Sequence, residues 1–173
     1  DFLGAQFDAG LAWVHFDEGH GGLGLRPGLQ KVVQEVLAAA GAPQSVSRNP
    51  IGHGMGAPTI YTHGSEQQRR RYLRPLFTGE EVWCQGFSEP DAGSDPGGMR
   101  TTAVKDGNHY VINGVKRVIT GAGKADFCQL LAATDRSWCI SRPMARRTDI
   151  TTATARWRWP LRCAPSSRLT ASS

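Results

Sequence analysis

The sequence holds 173 residues with a formal net charge of +5 and 39% hydrophobic side chains, enough for one ordinary domain or two small ones. No run approaches the ~20 apolar residues of a membrane span and none has the charged-then-apolar form of a leader, so a soluble, cytoplasmic chain without a membrane partner is expected. Residues 1–135 carry 12 Lys+Arg against 14 Asp+Glu while residues 136–173 carry 8 Arg against one acid, so the main body offers no electrostatic case for nucleic acid.

The chain opens on Asp1, which fits a fragment. Residues 1–27 read as an approach segment in which Trp13, Val14 and Phe16 precede a glycine-dense loop, Gly19-His20-Gly21-Gly22-Leu23-Gly24. From Pro27, the spacing of Leu29, Val32, Val33, Val36 and Leu37 predicts a helix with one apolar stripe, closed by Gly41 and Pro43. A second helix is expected over 51–62, where Gly52, Gly54, Gly56 and Ala57 permit close packing, ended by Gly64.

Ser65 with Gln68 three residues on has the form of a capping box at the start of a further helix. Tyr72, Leu73 and Leu76 supply its apolar face, and Arg69, Arg70 and Arg71 read as a solvated face rather than a phosphate site. After Gly79 the texture changes to strands. They are expected over 82–87, 101–104, 109–112 and 126–134, with tight turns at Asp106-Gly107 and Asn113-Gly114 and residues 115–120 following the second turn. Helices first and strands afterwards give an α+β chain of two units joined near residue 80.

Between the first two strands lies Ser88-Glu89-Pro90-Asp91-Ala92-Gly93-Ser94-Asp95. Gly93 lacks a Cβ, and Ser88 and Ser94 offer hydroxyls beside exposed amides, as anion-binding loops do. No Walker loop or dinucleotide fingerprint occurs. The four cysteines (Cys84, Cys128, Cys139, Cys163) lack metal-ligand spacing, and free thiols are expected. His15, His20, His53, His63 and His109 are dispersed and pair with no nucleophile.

The whole run is more specific than the loop. Trp83-Cys84-Gln85-Gly86-Phe87-Ser88-Glu89-Pro90-Asp91-Ala92-Gly93-Ser94-Asp95, followed by Asn113-Gly114-Val115-Lys116-Arg117-Val118-Ile119-Thr120, resembles the bacterial acyl-CoA dehydrogenases, whose signature is [ST]-E-P-x-A-G-S-D and then N-G-x-K-x-W-I-T. Gly64 to Gln68 resembles the family's G-[ST]-x-x-Q helix start, and Glu18 to Gly22 its Gly-Gly entry loop. The wording around Cys84 is similar to members acting on varied acyl chains and steroid side chains.

The resemblance implies an N-terminal helical domain (1–80), a partial middle β-domain (81–135) and no C-terminal helical bundle. It implies FAD as cofactor, an acyl-CoA thioester as substrate, electron-transfer flavoprotein as electron acceptor, and a homo- or hetero-oligomeric parent that desaturates the α,β bond. By position, Gln85, Phe87, Ser88, Gly93 and Ser94 would line the flavin, with Ser88 on the ring and Ser94 on the diphosphate and the acyl-CoA. Val118, Ile119 and Thr120 would form the wall behind the ring. Val118 replaces the family's usual Trp, and Gln85 replaces a frequent Tyr. No catalytic base is assigned: Glu89 and Asp95 read as acceptors that order the loop, and the family's base belongs to the missing bundle. The alternatives are a non-catalytic truncated product and a flavin-binding subunit lacking the base.

Residues 136–173 contain none of the 21 glycines, three of the five tryptophans and mostly Arg, Ala, Thr, Ser and Pro. That composition is expected of an out-of-frame reading of a GC-rich gene or of a disordered tail, outside the family pattern.

Overall fold

The computed structural model describes residues 1–107, 109–134, 138–141 and 155–160. They fall into two units, Asp1–Trp83 and Cys84–Ser173, close to the expected junction at residue 80.

The first unit is helical: α1 (Phe2–Asp8), α2 (Leu29–Ala39), a π-helical turn (Gly52–Gly56) running into α3 (Ala57–His63), and α4 (Glu66–Thr78). The Ser65 capping box forms with both of its hydrogen bonds: the Gln68 amide donates to the Ser65 hydroxyl and the Ser65 amide to Gln68 Oε1. Gly79, at φ 77°, closes α4 in the left-handed conformation that an L side chain adopts only at a cost.

The core is aromatic. Phe7, Trp13, Phe16 and Phe77 are buried; Trp13 meets Phe77 edge-on at 5.2 Å and Phe16 stacks on Tyr61 at 3.9 Å. The glycine-dense loop serves this core. A Cβ on Gly22 would lie 2.0 Å from the Phe16 carbonyl oxygen, so only glycine lets the loop return onto Trp13–Phe16.

Asn49 ties the unit to its last strand residue. Its amide nitrogen donates to the Leu76 and Glu81 carbonyls, and its Oδ1 accepts from the Gly52 and Trp83 amides, which leaves this buried side chain satisfied. Gly52 and Gly56 are buried as expected, whereas Gly54 is exposed. The apolar stripe of α2 forms but buries no residue: Val32 and Val36 stand exposed within this unit.

The second unit is a sheet of β1 (Trp83–Gly86), β2 (Thr102–Asp106), β3 (His109–Gly114), β4 (Phe127–Ala133), β5 (Trp138–Ser141) and β6 (Ala155–Pro160). Its order is β1-β4-β2-β3-β6, with β5 also on β4. The hairpin β2–β3 is antiparallel, pairing Thr102 with Asn113 and Asp106 with His109, and turns at Gly107 with φ 56°. β4 runs parallel to β2 at the Thr102–Ala133 pair, a crossover that curls the sheet. Ala103, Ile112, Leu130 and Ala132 fill one buried cluster. Cys84, Ala125 and Cys128 fill another, with Ile119 and Ala122 packed against it. Both of these cysteines are free thiols.

One expected turn is absent. β3 runs straight through Asn113-Gly114, Gly114 is not among the positive-φ glycines, and residues 115–120 carry no strand. Glycine is required there for a different reason: a Cβ would lie 2.3 Å from Thr101 Oγ1 and 2.7 Å from Thr101 Cα. Of the 136–173 segment, 138–141 and 155–160 are the strands β5 and β6; the rest of it, with the expectation placed on it, lies outside the described residues.

Candidate functional site

β1 leads directly into the Ser88–Asp95 loop, and the loop is held from inside by Glu89. Its amide donates to the Ala92 carbonyl at 2.8 Å and its carbonyl accepts from the Ala92 amide at 3.3 Å, closing a tight turn over Pro90-Asp91. Its carboxylate turns inward, accepting the Arg100 amide on Oε2 at 2.6 Å and the Thr101 amide on Oε1 at 3.0 Å. The Lys116 ammonium donates to the same Oε1 at 2.7 Å. Burial pulls the Glu89 carboxyl upward, but the hydrogen bonds from Lys116, Thr101 and Arg100 outweigh it and hold its pKa at about 2.

Asp95 orders the far end of the loop by accepting the Gly97 amide at 2.8 Å. Glu89 and Asp95 are therefore the loop-ordering acceptors expected from the sequence. A carboxylate engaged as Glu89 is cannot take a proton from a substrate.

Lys116 also donates to the Phe87 carbonyl at 2.9 Å and lies 3.5 Å from Met99 Sδ. The next amide, Arg117, donates to the Ser88 carbonyl at 2.9 Å. The segment after β3 is thus strapped to the segment after β1, and Ser88 and 118–120 come onto one small region of backbone. Beyond the strap the chain kinks. Val118 has φ 55°, the one non-glycine residue with positive φ among those described, and is 81% exposed. Ile119 returns to pack on the Cys84–Cys128 cluster.

The remaining expected residues are placed as follows. Gln85, on β1, approaches Gln129 Oε1 at 3.5 Å with its amide. Gly93 and Ser94 lie exposed on the loop, and a Cβ on Gly93 would meet nothing within 4 Å. Thr120 is exposed and Ser88 half-buried. The hydroxyls of Ser88, Ser94 and Thr120 engage no protein group among the described residues. On this unit's side the loop offers a phosphate-bearing ligand an open glycine and hydroxyls that engage no protein group among the described residues.

Lys116 is the residue whose role the sequence did not disclose. It was visible only as the Lys of the second motif; its partner stands 27 positions away. Each arginine of the triplet has a protein partner: Arg70 pairs with Glu66, Arg71 with Glu81, and Arg69 lies over the Tyr61 ring, its buried Nε making no hydrogen bond. No group of three or more His, Cys, Asp or Glu suited to a metal occurs among the described residues, and no described helix is long and apolar enough to cross a membrane.

Comparison with known proteins agrees with this layout. The acyl-CoA dehydrogenase N-terminal domain family matches residues 1–80, and the acyl-CoA dehydrogenase middle domain family matches residues 84–169, past Asp135. The acyl-CoA dehydrogenase IpdE1 of Mycobacterium tuberculosis is 41% identical over 128 residues, 74% of this chain and 33% of the relative. Among solved structures, the ChsE4–ChsE5 complex of Mycobacterium tuberculosis superposes with a TM-score of 0.58 at 31% identity, covering 78% of this chain and 34% of that one. A glutaryl-CoA dehydrogenase from Mycobacterium smegmatis in complex with FADH2 superposes with a TM-score of 0.57 at 28% identity, covering 91% and 45%. The chain spans about a third of the length of the first curated relatives it matches.

Proposed function

Because the chain belongs to the acyl-CoA dehydrogenase family, we propose that its second unit carries the protein half of an FAD site, in a parent enzyme that desaturates the α,β bond of an acyl-CoA thioester. The observation that carries this reading is the strap. Lys116 and Arg117 donate to the Phe87 and Ser88 carbonyls immediately before the 118–120 segment, beside a loop whose Ser88 and Ser94 hydroxyls engage no protein group among the described residues.

In this reading Ser88 donates to the flavin ring, and Ser94 takes the diphosphate and the acyl-CoA. Gln85, Phe87 and Gly93 line the ring's approach, and Val118, Ile119 and Thr120 form the wall behind it. The bound flavin supplies acceptance of the hydride that leaves the β-carbon. This chain's residues orient the ring, exclude water from one face and supply hydrogen bonds fixed before reaction. The proton-abstracting carboxylate is assigned to a part of the parent outside residues 1–173, since the loop's own carboxylates have other partners: Glu89 holds Lys116 and two amides, Asp95 the Gly97 amide, and Asp91 lies 3.7 Å from the Arg100 guanidinium. The electron acceptor proposed for the parent is electron-transfer flavoprotein.

Titration of the chain with FAD, followed by quenching of flavin fluorescence, tests the reading. Saturable one-to-one binding is expected, with Ser88→Ala and Ser94→Ala each weakening it by roughly five- to tenfold, the value of one hydrogen bond. A folded chain that binds no FAD would overturn it. Bound flavin that stays oxidised when an acyl-CoA is added is expected of a chain without the base; reduction would place the base within these residues.

A further inference from the structure

We infer that Lys116 is a positioning residue for the flavin-facing loops: a buried three-point pin that sets the register between residues 87–89 and residues 118–120. The inference rests on the flavin reading above for what the loops face, and on geometry alone for the pin.

An ammonium has three N–H donors and no acceptor. In Lys116 they point at Glu89 Oε1 (2.7 Å), the Phe87 carbonyl (2.9 Å) and Met99 Sδ (3.5 Å). No donor remains for a phosphate, so Lys116 is not a ligand of the diphosphate, the role a lone lysine beside an anion-binding loop would otherwise invite. Its side chain is 9% exposed and that of Glu89 5%. A charge pair this dry is held at a desolvation cost, offset only when every partner is well placed.

The placement explains why that cost is tolerated. The Phe87 carbonyl belongs to the residue before Ser88, and Glu89 to the residue after it. Lys116 grips the chain on both sides of Ser88, while the adjacent Arg117 amide takes the Ser88 carbonyl itself. Three consecutive residues of one segment are fixed by two consecutive residues of the other. Glu89 passes the constraint onward by holding the Arg100 and Thr101 amides, which starts β2. Arginine cannot reproduce the pin, because its planar fork does not match three acceptors spread around one nitrogen.

The test uses the full 173-residue chain as wild type, Lys116→Met and Lys116→Arg, with two readouts. Amide hydrogen exchange at Arg100, Thr101 and Arg117 needs no flavin. Both variants are expected to lose about tenfold or more of the protection at these amides, while amides of the Val104–Val111 pair in the β2–β3 hairpin keep theirs. FAD binding is expected to weaken by a similar factor in both, with a changed visible absorption envelope for the bound flavin. If Lys116→Met fails to fold, Lys116→Arg, which keeps the charge, carries the test. Wild-type protection at the three amides, or full restoration of protection and binding by arginine, overturns the inference. If wild type binds no FAD yet the exchange pattern changes as stated, the pin stands and the flavin reading falls. If wild type binds FAD and neither variant differs from it, the pin falls and the flavin reading stands.

Discussion

Lys116 Nζ lies 2.7 Å from Glu89 Oε1, and both side chains are less than a tenth exposed. The two residues come from segments 27 positions apart, and their pairing closes the loop that carries Ser88 and Ser94. The same pair makes the second unit sensitive to acid.

Glu89 has its pKa lowered from 4.5 to about 2. A carboxyl depressed in the folded state stabilises it fully above the unfolded pKa, and that stabilisation is lost as pH falls through the folded value. The second unit should therefore weaken between pH 4.5 and 2. Glu89→Gln should be less stable at pH 7 by about 3 kcal/mol, since it strands a buried ammonium, and should lose the slope in that window. Urea melts of both proteins at pH 7 and pH 3 check this.

In the first unit His53 acts in a higher window. Burial, with the Trp13 ring at 4.9 Å and the Phe77 ring at 5.5 Å, lowers its pKa from 6.5 to about 4. The unfolded chain then binds more protons between pH 6.5 and 4, so stability falls as pH falls through that range and is complete above it. An NMR titration of the His53 ring should give a midpoint near 4, and His53→Asn should flatten the stability profile there.

Two glycines of one hairpin should respond oppositely in cause and size. Gly114→Ala drives a Cβ to 2.3 Å from Thr101 Oγ1 and should cost about 1–3 kcal/mol through overpacking. Gly107→Ala meets nothing within 4 Å but keeps φ at 56°, and should cost only about 1 kcal/mol. Thermal denaturation of the two variants separates steric from conformational cost.

Val118, at φ 55° and 81% exposed, bears the left-handed cost with little burial in return. Val118→Gly should raise stability by about 1 kcal/mol. On the proposed function it should also weaken flavin binding, because the apolar wall loses its outermost side chain. Greater stability together with weaker binding, read from melts and FAD titrations of one variant, marks a residue kept for its ligand.

Features decided within a few residues were legible in the sequence. The Ser65–Gln68 capping box, the change of texture after Gly79, the Asp106-Gly107 turn and the Glu89 and Asp95 acceptor roles all rest on neighbours close in the chain or on motif chemistry. Asn113-Gly114 was misleading because locally it reads as a turn, whereas Thr101, from another segment, is what requires glycine there. Lys116 was silent for the same reason: its three acceptors come from Phe87, Glu89 and Met99, none of them in its own segment. The apolar stripe of α2 was legible as a helix face, but what a face packs against is a tertiary fact, and within this unit Val32 and Val36 stay exposed.

The measurement that bears most directly on the flavin site is an amide chemical-shift map of the 173-residue chain titrated with FAD. The account predicts shifts concentrated at Ser88, Gly93, Ser94, Ile119 and Thr120, with Gly107 at the hairpin turn and Gly41 after α2 unmoved. Shifts centred elsewhere, or a well-dispersed spectrum that FAD leaves unchanged, would contradict it.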